Sequence, residues 1–282
     1  MQDVVLHLGD CAQVMAEHIA DNSIDLTVTS PPYDNLRTYN GYTFDFEAIA
    51  SQLWRVTKPG GVVVWVVGDA TINGSETGTS FRQALRFMEL GFNLHDTMIY
   101  QKVAGATGSN LAYWQVFEFM FVLSKGTPNA ISLIADRRNA KKPGRIREVA
   151  GHRYPNGDKK GLRDWERELT GIRFNIWQFD AANGIDRSLE HPAQFPEALA
   201  RDHILSWSNP GDVVLDPMMG SGTTGKMALL TGRRFVGIDI SAEYVELARQ
   251  RIAKIEAQPF LFHPAETQEQ AQQLPLDTAH QS

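Results

Sequence analysis

The fold class expected of this chain is α/β, an open and mostly parallel sheet of seven strands with helices on both faces. Three observations predict it. Short apolar runs alternate with stretches of helical spacing along much of the chain, the pattern of parallel strands covered on both sides. Val62 to Val67 is unbroken apolar sequence, as a central strand requires. Near the end, Asp212–Leu215, a helical stretch Thr224–Leu230 and Phe235–Ile238 closing on Asp239 form a βαβ unit around a Gly-rich turn.

Taken in order, strands are expected at 4–8, 24–28, 62–67, 97–101, 117–123, 212–215 and 234–238. Helices are expected at 12–19, 45–57, 79–90, 195–207, 224–231 and 241–257. Phe46 to Val56 has apolar residues at helical intervals, and Lys58-Pro59-Gly60-Gly61 stops it as a Pro/Gly turn does. Ser241 is an N-cap for the last helix, with Glu243 in its first turn. The Gly-, Lys- and Arg-rich segment 139–158 reads as a long loop that orders only on a partner. The tail, 257–282, with its Gln-rich run, reads as disordered.

A chain of 282 residues, 43% hydrophobic and 21% charged, suits one large α/β domain with an insertion. No apolar stretch approaches the ~18 residues of a membrane span. Met1-Gln2-Asp3 lacks the basic start of a signal peptide. Cys11 is the single cysteine and cannot form an internal disulfide, which suits a reducing cytoplasm. The net charge is −6, but it is unevenly spread. Residues 125–187 hold 14 basic and 8 acidic side chains, against 13 and 25 in the rest. Arg137, Arg138, Lys141, Lys142, Arg145, Arg147, Arg153, Lys159 and Lys160 lie in this segment, interleaved with Tyr154, Trp165, Phe174 and Trp177. A basic, aromatic insertion in an acidic protein points to phosphate contacts.

Two motifs carry chemistry. Thr29-Ser30-Pro31-Pro32-Tyr33 follows the strand Ile24–Val28. Prolines cannot continue a ladder, so the chain leaves the sheet in a stiff, fixed direction at the edge where α/β sheets bind ligands. Ser30 Oγ and the Pro31 carbonyl can accept hydrogen bonds from an exocyclic amine, and Tyr33 offers a face for a base to stack on. A proline-rich turn with a packed tyrosine reads equally well from this motif alone. The second motif, Asp216-Pro217-Met218-Met219-Gly220-Ser221-Gly222-Thr223-Thr224, lets backbone approach a ligand beside a helix N-terminus. Asp239, some 20 residues on, suits ribose hydroxyls. The turn is neither G-x-G-x-x-G nor a Walker loop.

Together these motifs resemble the amino-methylating DNA methyltransferases, and their order resembles the circularly permuted β subgroup. The resemblance covers about residues 3–124 and 188–256. It implies a Rossmann-like fold, S-adenosylmethionine as cofactor and double-stranded DNA as partner, with no metal and no membrane. Catalytic roles fall to Ser30, Pro31, Pro32 and Tyr33. Cofactor contacts fall to Asp216, Pro217, Met218, Gly220, Ser221, Gly222, Thr223 and Asp239. Asp10, after the strand Val4–Leu8, and His191 and Phe195 in His191-Pro192-Ala193-Gln194-Phe195-Pro196 join them. The implied organisation is a catalytic half (1–124), an inserted basic target-recognition region (125–187), a cofactor-binding half (188–256) and the tail. Arg137, Arg138, Lys141, Lys142, Arg145, Arg147, Lys159 and Lys160 would meet DNA. Arg37 reads equally as a phosphate contact or a surface ion-pair partner. Asp69 reads equally as a support for the catalytic loop or a loop cap. No second ligand stands at metal spacing from His191.

The resemblance further implies a flipped target base and a direct displacement without a covalent enzyme intermediate. Cys11 is therefore read as a small buried residue, not as the nucleophile of cytosine C5 chemistry. Ser30, where adenine enzymes of the family usually have an acid or Asn, and Phe195, where many have Lys, favour cytosine N4 over adenine N6. A methyltransferase of protein or RNA and a non-catalytic DNA-binding module are the other readings. A cognate restriction nuclease, and a monomeric or homodimeric state, are left open.

Overall fold

The computed structural model describes residues 3–32, 44–102, 113–139, 144–148, 163–179 and 196–257. They fall into two compact units, Met1–Ser132 with Asn175–Ser282, and Leu133–Phe174. The expected insertion, 125–187, contains the second unit whole. Described residues on either side of it, 125–132 and 175–179, belong to the first.

The first unit opens with β1 (Val4–Leu8), α1 (Cys11–His18), β2 (Ile24–Thr29), α2 (Phe46–Val56) and β3 (Thr57–Val67). A small hairpin, β4 (Thr71–Ile72) and β5 (Ser75–Glu76), leads to α3 (Thr79–Glu89), β6 (Asn93–Lys102) and β7 (Phe117–Ser124). The second unit carries β8 (Arg137–Arg138), β9 (Gly144–Glu148), β10 (Arg163–Arg167) and β11 (Thr170–Gly171). The first unit resumes with β12 (Ile176–Phe179), α4 (Glu197–Trp207), β13 (Val213–Asp216), α5 (Thr223–Leu230), β14 (Arg234–Asp239) and α6 (Ala242–Glu256).

Eight strands form the main sheet, in the order β1-β14-β13-β2-β3-β7-β6-β12. Only β7 runs against its neighbours. Seven strands were expected, and the eighth, β12, comes from inside the expected insertion. It pairs parallel with β6, Ile176 opposite Ile99. Trp177 is therefore not an exposed insertion aromatic but a core residue, 5% exposed and stacked on His203 at 4.6 Å. A four-residue strand beside a basic segment carries too little periodicity to announce itself.

Side chains alternate across each strand, so neighbours serve opposite layers. Val63, Trp65 and Val67 of β3 pack with Met15, Ile49, Leu53 and Phe87 from α1, α2 and α3. On β14, Val236 joins that layer. Phe235 points the other way, close enough to Gly225 of α5 that a Cβ there would sit 2.5 Å from its ring. Helices α4, α5 and α6 pack side by side on this second face. The fully buried Trp65 Nε1 donates to Gln83 Oε1 at 2.8 Å, so that side chain leaves no polar atom unmatched. Truncating a fully buried strand residue such as Leu26 to Ala costs about 2–5 kcal/mol.

The second unit is built from two antiparallel ribbons, β8 with β11 and β9 with β10. Within 139–158, expected as one loop, residues 144–148 are thus a strand. Its register sets Arg145 opposite Glu166, Arg147 opposite Asp164 and Glu148 opposite Arg163. Residues 258–282, nearly all of the expected tail, lie outside the described residues.

Candidate functional site

Strands β13 and β2 are parallel neighbours although their residues lie far apart in sequence. Their carboxyl ends therefore bring both chemical motifs to one place. Asp216 ends β13 and Thr29 ends β2. Thr29 Oγ1 donates to Asp216 Oδ1 at 2.8 Å, a buried bond spanning 187 residues of sequence. Met218 N donates to the same oxygen at 3.2 Å. Burial pushes the Asp216 carboxyl up to about 6, against the pull of the Thr224 and Thr29 hydroxyls and the Met218 N–H, and the Asp239 charge adds to the rise. Ser30 and Pro32 are half-buried and Pro31 is buried. Tyr33 and Arg37 lie outside the described residues.

The Gly-rich turn joins β13 to α5. Gly220 and Gly222 adopt positive φ, 50° and 78°, where other residues are strained. A Cβ on Gly222 would also come 2.9 Å from the Ala248 Cβ. Gly220 N donates to Asp239 Oδ2 at 2.9 Å, and Ser241 N to Asp239 Oδ1 at 2.9 Å. Asp239 thus holds the turn on one side and the start of α6 on the other. Burial raises its carboxyl as well. One strand further, Gly9 N donates to the Asp239 carbonyl at 2.9 Å. Asp10 there is exposed and caps α1 through Gln13 N at 3.0 Å. The neighbouring Cys11 is buried, its thiol pushed up to about 12 by burial and then by the Asp10 charge. It stays protonated, unlike a nucleophilic cysteine.

Strands β2, β13, β14 and β1 therefore line up Ser30–Pro32, Asp216 to Thr223, Asp239 and Asp10 along one sheet edge. His191 and Phe195 lie outside the described residues. Asp69, left open by the sequence, proves to be a loop cap. Its carboxylate accepts from Ser80 N at 2.8 Å and from the Ser80 hydroxyl, closing the amino end of α3. Of the basic residues expected to meet DNA, Arg138 is exposed, but Arg137 is engaged within its unit. Arg137 Nε donates to the Ile172 carbonyl at 2.9 Å, and its guanidinium lies 4.6 Å over the Phe174 ring. Arg145 and Arg147 stand on β9. Lys141, Lys142, Lys159 and Lys160 lie outside the described residues. Among the described residues no cluster of His, Cys, Asp and Glu could hold a metal ion.

Two contributors were missed by the sequence reading. Thr29 joins the two motifs, and its only signal was its place before Ser30. Arg251 reaches the Gly-rich turn from α6. It falls among Val245, Ala248 and Ile252, on the apolar side of that helix, where an arginine is out of pattern.

The turn fits S-adenosylmethionine on its own features. Glycines at 220 and 222 keep side chains off its backbone, and the acidic Asp10 stands exposed at the neighbouring strand end, where hydroxyls of a nucleoside can be met.

The sequence profile of the N6/N4 DNA methylase family matches residues 24–250. The orphan methyltransferase M.BamHII of Bacillus amyloliquefaciens is 56% identical over 247 residues, 84% of this chain and 92% of that one. The PvuII DNA methyltransferase, cytosine-N4-specific, shares the fold with a TM-score of 0.66 at 18% identity, over 95% of this chain and 91% of that one. The putative DNA modification methylase TTHA0409 of Thermus thermophilus, solved with S-adenosyl-L-methionine, gives 0.58 at 26% identity, over 88% and 94%. The chain belongs to the N6/N4 DNA methylase family and is an S-adenosylmethionine-dependent, site-specific DNA methyltransferase.

Proposed function

We propose that this methyltransferase modifies the N4 amine of a cytosine flipped out of double-stranded DNA, with Ser30 to Tyr33 as the catalytic segment and Asp216 to Thr223 as the cofactor turn. The observation that carries the assignment of these segments is the buried Thr29–Asp216 hydrogen bond, which fixes the start of one against the start of the other. Cytosine is favoured because Ser30 stands at the head of the P-P-Y segment in place of an acid or Asn, and Phe195 in place of Lys.

When bound, S-adenosylmethionine supplies an electrophilic methyl on a sulfonium. The chain's own residues prepare the amine. Its lone pair is conjugated into the ring, and hydrogen bonds from its N–H groups to Ser30 Oγ and the Pro31 carbonyl favour a pyramidal, more nucleophilic nitrogen. Held by the turn, the cofactor would supply that methyl to the nitrogen, the new N–C bond replacing the S–C bond. The surplus amine proton leaves to water by way of the Ser30 hydroxyl, while the Pro31 carbonyl holds the remaining N–H. Positioning and electrostatics carry the rate, with no covalent enzyme intermediate. Stacking on Tyr33 offsets part of the cost of extracting the base, by about 1–3 kcal/mol. Asp216 and Asp239 act by shaping the turn, since protein donors already occupy their carboxylates. Asp10, His191 and Phe195 complete the cofactor pocket.

DNA contact falls to Arg138, Lys141, Lys142, Lys159 and Lys160, with Arg145 and Arg147 on β9. The charge excess of 125–187 supports this reading. No described helix is long and apolar enough to cross a membrane, and we place the enzyme in the cytoplasm with its DNA. A partner nuclease is compatible with this activity but not required by it.

The test is to methylate unmodified DNA with purified protein, digest it to nucleosides and identify the product by mass. N4-methylcytidine is expected. N6-methyladenosine as sole product overturns the base assignment and leaves the family standing.

A further inference from the structure

Arg251 is 8% exposed on the buried side of α6, where an aliphatic residue would pack as well. Burying a charge is costly unless every donor is used. Here the guanidinium is shared between two targets. Nη1 lies 3.2 Å from the Ser221 carbonyl, 3.3 Å from Ser221 Oγ and 3.1 Å from Thr223 Oγ1. Nη2 donates to Glu197 Oε1 at 2.6 Å. Glu197 opens α4 and also accepts from Lys226 Nζ of α5, at 2.7 and 2.9 Å. One side chain therefore ties α6 to the Gly-rich turn and to the first residue of α4, while Lys226 closes the loop back to α5. A planar fork can span both targets, whereas a lysine ammonium is a point charge that satisfies one at a time.

We propose that Arg251 is a positioning residue that sets Ser221 and Thr223 of the turn, together with the start of α4, before S-adenosylmethionine arrives. Ordering these groups in advance removes that ordering cost from the binding step. The proposal rests on the reading that this turn holds the cofactor. The contacts described for Arg251 are with the turn and Glu197, so its loss falls on cofactor affinity, not on the chemical step.

The experiment measures S-adenosylmethionine binding to the full chain by calorimetry for Arg251→Met, Arg251→Lys and, as a control on the turn, Asp239→Asn. Thermal unfolding without cofactor and DNA affinity are followed in parallel. Arg251→Met is expected to weaken cofactor binding by on the order of tenfold or more, with a higher KM for cofactor, kcat retained and DNA affinity unchanged. Arg251→Lys restores part of the loss. Should Arg251→Met fail to fold, Arg251→Lys is decisive, because native affinity in that variant contradicts the need for a fork. Native cofactor affinity in Arg251→Met with weakened binding in Asp239→Asn overturns the proposal and keeps the turn. Native affinity in both removes the turn as the cofactor site and the proposal with it.

Discussion

The turn after β13 and the segment after β2 leave the same sheet edge from adjacent strands, yet they are held in different ways. Around the turn, Asp239, Arg251 and the Ile238 carbonyl bind backbone or hydroxyl groups, and two glycines allow the tight path. The segment after β2 gets its direction from two prolines, and Thr29 at its root leans on Asp216. A pocket for a cofactor gains from being formed in advance. A catalytic segment must present hydrogen-bond acceptors to a base that arrives only after flipping, so it needs direction at its root and room beyond it. The two meet in Asp216, and on the proposed roles of turn and segment that carboxyl couples cofactor binding to chemistry.

The comparison breaks most sharply at Ser30. Ser30→Ala removes an acceptor from the reacting amine and should lower kcat by about a hundredfold, in the range seen when one hydrogen-bond partner of a transition state is lost. Cofactor affinity, measured by calorimetry, should stay native, because Ser30 is no part of the turn.

Asp216→Ala acts on both sides. It strands the buried Thr29 hydroxyl and frees Met218 N, costing about 1–3 kcal/mol in urea unfolding. It should also weaken cofactor binding and slow methyl transfer, whereas Asp216→Asn keeps an acceptor and loses less.

The same carboxyl gives a pH signature. Its folded value, about 6, lies above the ordinary 3.8. Its contribution to stability is therefore full below about pH 4 and is lost as pH rises through about 6. Between pH 5 and 8 the loss is on the order of 1 kcal/mol. Unfolding curves of Asp216→Asn at the two pH values should lack this part of the difference.

The smallest effect lies away from both segments. Charge reversal at Lys141 and Lys142 should flatten the salt dependence of DNA binding by about 0.9 in slope per lost phosphate contact, with cofactor binding unchanged. An unaltered slope moves the DNA interface elsewhere.

Much of this site was legible in the sequence, and for a physical reason. Central parallel strands must be apolar on both faces, so Val62–Val67 stands out, and Pro31-Pro32 and Gly220-Ser221-Gly222 mark where strands end. The same logic located all six helices of the described residues to within two residues. What escaped depended on partners distant in sequence. Ile176–Phe179 becomes a strand only because β6 offers an edge. Arg145 to Glu148 becomes one only opposite Arg163 to Glu166. Asp216 and Asp239 were named from the sequence, but the contacts they make were not, because the donors that occupy them, Thr29 and Gly220, are tertiary neighbours. Arg251 left one faint trace, a charge on an apolar helix face.

The coupling of turn and segment through Asp216 is tested most directly by a double-mutant cycle in single-turnover methyl transfer, using Thr29→Val, Asp216→Ala and the pair. If the buried bond joins the two, the double variant loses scarcely more than the worse single variant, with an interaction energy of about 0.5–3 kcal/mol. Losses that simply add would show that the cofactor turn and the catalytic segment act independently, and would contradict the account.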